Sequence, residues 1–332
     1  MLLDVGRHLS FDYTASLSYY SSPSFRDTLD HRARMAWGTA YQDWNLSLSQ
    51  GYTSTSNPRV QTAVQTDREN YDTSAGASHQ LNDKLSVDIG LNQDFHNVGT
   101  AGGLTNVSNA RVWSTMDWLN YHFGPRFIVG AGAGFNYVSE QLGSDMASEQ
   151  YQGRVNWRAT DKISLQLSGG LNDQQFLSGG QGDMLTPVFT AAIEYQPFEQ
   201  TRITLTGDRS VTTSYFRNQI IEGTGMTASL DQRLLGWLNL VLSGGYRHSK
   251  YLSSVAVSAF SAGTARTDDY YWFTARLGCP FLKRGSCSVF YQYSANSSTQ
   301  TGFAQFYQTA VSSSSAFSYT SSQVGFEVGF HY

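Results

Sequence analysis

The charged side chains of this sequence fall into one repeated arrangement. Asp12 stands between Phe11 and Tyr13, Asp88 between Val87 and Ile89, and Glu327 between Phe326 and Val328. In an extended chain, successive side chains point to opposite faces, so each of these charges lies opposite its apolar neighbours. The same parity gathers Asp30, Arg32, Arg34, Asp94, Arg154, Arg158, Glu194, Arg202, Asp208, Arg247, Arg276 and His331. If that face encloses water, rings of such groups tune which ions and solutes pass. The alternative is that they pair with one another across the enclosed space and stiffen its wall.

Other chemistry finds little support. The run Gly130-Ala131-Gly132-Ala133-Gly134 lies within a strand pattern and opens no helix, so it is not a nucleotide loop. The seven histidines show no metal-ligand spacing, and no nucleophile elbow stands between a strand and a helix. No catalytic set, metal or cofactor is therefore expected, and a net charge of −4 gives no basic signal for nucleic acid. Cys279 and Cys287 flank a short turn, Pro280–Ser286, and share the outward parity of their strands. Directly opposed Cβ atoms in an antiparallel pair lie about 4.5–5.5 Å apart, near disulfide range, so the two are a disulfide candidate; the other reading is two free small hydrophobes.

These residues are carried by strands. Leu9, Phe11, Tyr13, Ala15, Leu17 and Tyr19 alternate with Ser10, Asp12, Thr14, Ser16 and Ser18, and the pattern recurs as far as Val324, Phe326, Val328, Phe330 and Tyr332. The first run covers about 11 residues, long for a soluble strand and suited to a tilted crossing of a bilayer. Seven short turns alternate with eight longer polar loops, among them Ser249–Thr267 and Asn296–Ala316. This predicts an all-β fold: one closed antiparallel transmembrane β-barrel spanning residues 1–332, with about 16 strands, short periplasmic turns and long extracellular loops. The stretch Ser108–Phe123 carries two competing parities, which a bulge would reconcile. The loop Ser249–Thr267, with Val255, Val257 and Phe260, either folds into the lumen or stays outside.

A soluble sandwich alternates too, but three features favour the barrel. Aromatics collect at both strand ends: Trp37, Tyr41, Trp44, Phe123, Phe127, Trp157, Tyr195, Trp237, Phe281 and Phe330 toward the short turns; Tyr19, Tyr52, Tyr71, Phe95, Tyr137, Tyr151, Tyr215, Tyr246, Tyr270 and Tyr319 toward the long loops. Two such girdles suit the two interfaces of a bilayer. Loop length differs between the ends. The chain also finishes on alternating aromatics, with Phe330 and Tyr332 placed like the terminal signal read by the outer-membrane assembly machinery. The composition agrees: only 14% charged and 14% aromatic residues in 332, with mean hydropathy −0.35. No apolar run of 18 residues occurs, and no apolar leader follows Met1–Asp4, so the chain reads as a mature or trimmed form with Met1 as an added start. The barrel reading places it in the outer membrane of a Gram-negative bacterium, in contact with its lipid.

Several stretches carry a family likeness: Asp161-Lys162-Ile163-Ser164-Leu165; Thr206-Gly207-Asp208-Arg209-Ser210 followed by Thr213-Ser214-Tyr215; Arg233-Leu234-Leu235-Gly236; and Ser243-Gly244-Gly245-Tyr246. With them the chain resembles the beta-barrel porin type-two group of outer-membrane proteins, often encoded beside exopolysaccharide-export genes. The resemblance implies an outer-membrane pore, an exit for a polysaccharide, and a periplasmic export component as partner. It supplies no catalytic residues. A diffusion porin for small solutes and a non-conducting structural or adhesive surface barrel are the alternatives.

Overall fold

The computed structural model describes residues 9–21, 25–57, 65–99, 109–141, 143–177, 183–214, 219–253, 266–281, 284–299 and 317–331. They form sixteen strands and no helix. In chain order these are β1 (Leu9–Tyr20), β2 (Thr28–Tyr41), β3 (Trp44–Thr55), β4 (Arg68–Gln80), β5 (Leu85–Val98) and β6 (Ala110–Gly124). There follow β7 (Phe127–Glu140), β8 (Met146–Arg158), β9 (Ile163–Phe176), β10 (Met184–Phe198) and β11 (Thr201–Thr213). The last five are β12 (Gln219–Leu234), β13 (Leu238–Ser253), β14 (Arg266–Phe281), β15 (Gly285–Ser298) and β16 (Tyr319–His331).

Each strand pairs antiparallel with its sequence neighbours, and β1 pairs with β16 in the register Ala15↔Val328, closing the sheet. Closure leaves no edge of unpaired N–H and C=O groups, each of which costs several kcal/mol in hydrocarbon. At one end the connections are short: only Gln42 and Asp43 separate Tyr41 from Trp44. At the other they are longer, the longest lying between Ser298 and Tyr319. The turn after β12 holds Leu235 and Gly236 at positive φ (51° and 78°), a geometry that matches the right-handed twist of a hairpin.

The two faces differ as the period of two requires. Leu167, Ile193, Leu205, Phe273, Val289 and Phe326 all point outward and are exposed. Register carries this apolar parity around the wall, as in Ile193↔Leu205 and Val289↔Phe326. Aromatics mark both rims. Trp44 stacks on His79 (4.4 Å between centroids) near the short turns, while Tyr52 meets Tyr71 (5.0 Å) and Tyr246 meets Tyr271 (4.9 Å) toward the long loops.

Two local expectations need correction. Strand β6 needs no bulge in its middle: its register with β5 is the same on both sides of a gap at Ile89 and Gly90, from Asp88↔Trp118 to Leu91↔Thr115. Trp113, Leu119, Tyr121 and Phe123 share the outward parity, and Met116 and Trp118 turn inward; the register shifts only beside the turn, between His122 and Gly124. Large side chains on both faces of one strand blurred its period. Tyr270 and Tyr319, expected in the upper girdle, instead lie on the inward parity opposite Asn296, and Tyr271 takes the girdle place. Tyr215, Tyr332, Val255, Val257 and Phe260 lie outside the described residues.

Candidate functional site: the lumen

The inward parity begins as a wall of small polar groups. Ser16, Thr206, Ser229, Ser243, Thr274 and Gln292 belong to it, from six different strands. Onto this wall the register brings the sequence-selected charges, among them Asp12, Asp30, Arg32, Arg34, Asp88, Arg154, Arg158, Glu194, Arg202, Arg276 and Glu327.

Most of these charges are tied to one another. Arg154 on β8 crosses Gly130 of β7 to reach β5 and β6: its Nε donates to Asn120 Oδ1 (2.9 Å), and its guanidinium pairs with Asp88. Asn120 Nδ2 also donates to Asp88 (2.9 Å), and the guanidinium lies 4.4 Å over the Trp118 ring. Glycine is what lets this bridge lie flat. A Cβ at Gly130 would fall 2.6 Å from Asn120 Oδ1, and one at Gly132 would fall 2.6 Å from Trp118 Cε3. The glycine-rich run therefore makes room for bulky neighbours, as Gly245 does for Trp272, while Trp113 faces outward and needs no such space.

Similar links occur around the wall. Arg247 spans Gly225 to Asp208 (2.8 Å). Arg276 pairs with Glu327 (3.1 Å), which also accepts from Ser288 (3.1 Å). Glu194 meets Arg202 at 3.3 Å, and Asp94 meets His96 at 3.2 Å. Asp12 pairs with His331 although Arg34 is its register partner on the other side. Asp30 accepts from Asn57 Nδ2 (2.6 Å) and the Ser56 N–H (3.2 Å). Arg32, Arg34 and Arg158 have no acidic partner among the described residues. The wall thus carries both signs, largely self-compensated.

Toward the long loops, inward side chains pack together in two places. Arg266 and Asp268, two apart on β14, form an ion pair that is 4% and 0% exposed. The guanidinium lies 3.6 Å from the Phe317 ring centre and 4.2 Å from that of Tyr251, so two aromatic faces cover the cation. Sequence reasoning missed this knot because the loop assigned to Ser249–Thr267 absorbed Arg266; starting β14 there would have placed Arg266, Asp268 and Tyr270 on one face. A second packed region involves the β11–β12 hairpin. The β10–β11 ladder stops at Phe189↔Arg209, yet β10 runs on to Met184, and β11 stays paired with β12 to Thr213↔Ile220. Above that point the hairpin leaves β10, and Ile220 packs against Val138 of β7 and Met146 of β8, with Val211 alongside.

Cys279 and Cys287 are register partners on the outward face beside the turn. In this structure they are free cysteines with the sulphurs 3.2 Å apart. Phe330 also faces outward, 6.2 Å from Phe281.

Closed sheet, apolar exterior and polar interior together define the architecture of an outer-membrane β-barrel. Among solved structures, the chain is similar to OccAB4 of Acinetobacter baumannii (TM-score 0.48, 10% identity, 98% of each chain covered). It is also similar to OccK11 of Pseudomonas aeruginosa (0.46, 9%, 98% of this chain and 94% of that one) and to a bacterial polysaccharide outer membrane secretin (0.45, 11%, 99% and 100%). No family model and no curated protein matches the sequence. The functional reading below therefore rests on the chain's own residues.

Proposed function

We propose that the chain is an outer-membrane channel for an uncharged, hydroxyl-rich solute, and that its cargo is a polysaccharide leaving the cell. One observation carries this reading: hydroxyl and carboxamide side chains are the commonest kind on the wall, and arginine–carboxylate pairs tie up much of its charge. Such a lining exchanges hydrogen bonds with a neutral polyol at every level and holds no strong field of one sign against it. In this reading the short turns face the periplasm, where an export component meets the channel, and the long loops face outward. The assembly machinery reads the last strand through Phe330 and Tyr332, and membrane lipid covers the apolar face. The β11–β12 hairpin leaning over the lumen supports a second reading, a diffusion porin with a constriction.

Planar-bilayer recording tests the proposal. Discrete conductance steps are expected, with only a small reversal potential across a salt gradient because paired charges offset much of the wall's field. Uncharged oligosaccharide added on the short-turn side is expected to interrupt the current. A barrel that never conducts would leave the structural or adhesive alternative. Steep preference for one ion sign would contradict a neutral cargo.

A further inference from the structure

We infer that the lumen holds a binding site for one uncharged sugar unit, built where the β11–β12 hairpin approaches strands β7, β8 and β9. A cavity of about 330 Å³ lies there. That is at the small end of ligand pockets, roughly 300–1,000 Å³.

Its wall is unusual in what it leaves unsatisfied. Asn136, Ser148 and Gln174 sit in one row across β7, β8 and β9, through the partners Asn136↔Ser148 and Ser148↔Gln174. Asn172 lies two residues before Gln174 on β9. All four line the cavity. Asn136 Oδ1, Ser148 Oγ, Asn172 Oδ1 and Gln174 Oε1 are all buried with no hydrogen-bond partner among the described residues. Ser148 and Asn172 are 3% exposed and Gln174 is 6% exposed.

A buried polar group without a partner costs about 1–3 kcal/mol. Four such groups belong to residues lining one cavity, a place where a ligand can supply the missing bonds. Its chemistry follows from theirs. The unmatched atoms are three carboxamide oxygens, which only accept, and one hydroxyl oxygen, so the ligand must bring O–H donors, as a sugar does. Val112, Val138 and Val211 give the cavity an apolar side for a C–H face of the ring. Among the described residues the lining holds no arginine or lysine to bind an acidic ligand, and its Asp94 and His96 side chains meet each other at 3.2 Å. Thr212 and Thr213 close the hairpin side.

This inference refines the channel reading by naming a place where the cargo is held, and its test is independent of conduction. Calorimetry on the purified full chain in detergent would use uncharged tetrasaccharides of glucose, galactose, mannose and N-acetylglucosamine, with a polygalacturonate oligomer as the acidic comparison. At least one uncharged oligosaccharide is expected to bind. Asn172→Leu and Gln174→Leu are each expected to weaken it about tenfold, the value of one lost hydrogen bond. Folding of each variant is checked by its heat-sensitive mobility on a gel, and Ser148→Ala serves as a smaller change if either leucine variant fails to fold. No binding by any uncharged probe, equal binding by the variants, or binding of the acidic oligomer alone would each overturn the site. Binding without conductance would sink the channel and spare the site; conductance without binding would do the reverse.

Discussion

Leu205→Arg is expected to cost about 2–4 kcal/mol of folding stability in lipid, the value for an arginine near the bilayer midplane on the lipid face of a barrel. Thr206→Arg, one residue further along β11, is expected to fold almost normally and to lower conductance instead. Leu205 pairs with Ile193 and Ala228 on the apolar face, while Thr206 pairs with Ala192 and Thr227 on the lumen side. The backbone and the strand are shared, so the difference isolates what each side chain meets. Urea titration of protein folded into vesicles measures the cost. Equal costs at the two positions would mean that the faces do not meet different solvents.

The second large effect concerns the buried pair at the long-loop end. Arg266→Met is expected to destabilise the barrel by about 3–5 kcal/mol, because it leaves the Asp268 carboxylate without its cation. Asp268 is fully buried and accepts from Arg266 Nε at 2.9 Å. The double replacement Arg266→Met with Asp268→Leu is expected to recover most of that loss, since apolar side chains fit between the Tyr251 and Phe317 rings without desolvating a charge. Thermal unfolding of the three variants in detergent gives the comparison. A harmless single variant would show that water reaches the pair.

The barrel itself was legible because its main cause is local. A lipid exterior and a watery interior impose a period of two on every strand, and that period survives in sequences as different as Leu9–Tyr19 and Val324–Phe330. It assigned Asp88, Arg154 and Glu327 to the lumen without any structure. It did not say that Arg154 would reach across two strands, β7 and β6, to Asp88, because that contact depends on Gly130 lying between them in space. Strand β6 misled for a related reason: Trp118 and Met116 are large and apolar yet face inward, where glycines of β7 leave room for them. The hairpin that leaves β10 after Arg209, and the cavity it forms with Asn136, Ser148, Asn172 and Gln174, are tertiary features. Alternation places those four residues on the inner wall but gives no sign that they lack partners.

The account depends on one property, the separation of the two parities into lipid and water. It is tested most directly by single cysteines placed in turn at 203 to 208 on β11, in a background carrying Cys279→Ala and Cys287→Ala, and exposed in vesicles to a water-soluble maleimide. Labelling is expected at 204, 206 and 208 and not at 203, 205 and 207. Labelling that is uniform along the strand, or that reverses this alternation, would contradict a barrel with an aqueous interior and a lipid-covered wall.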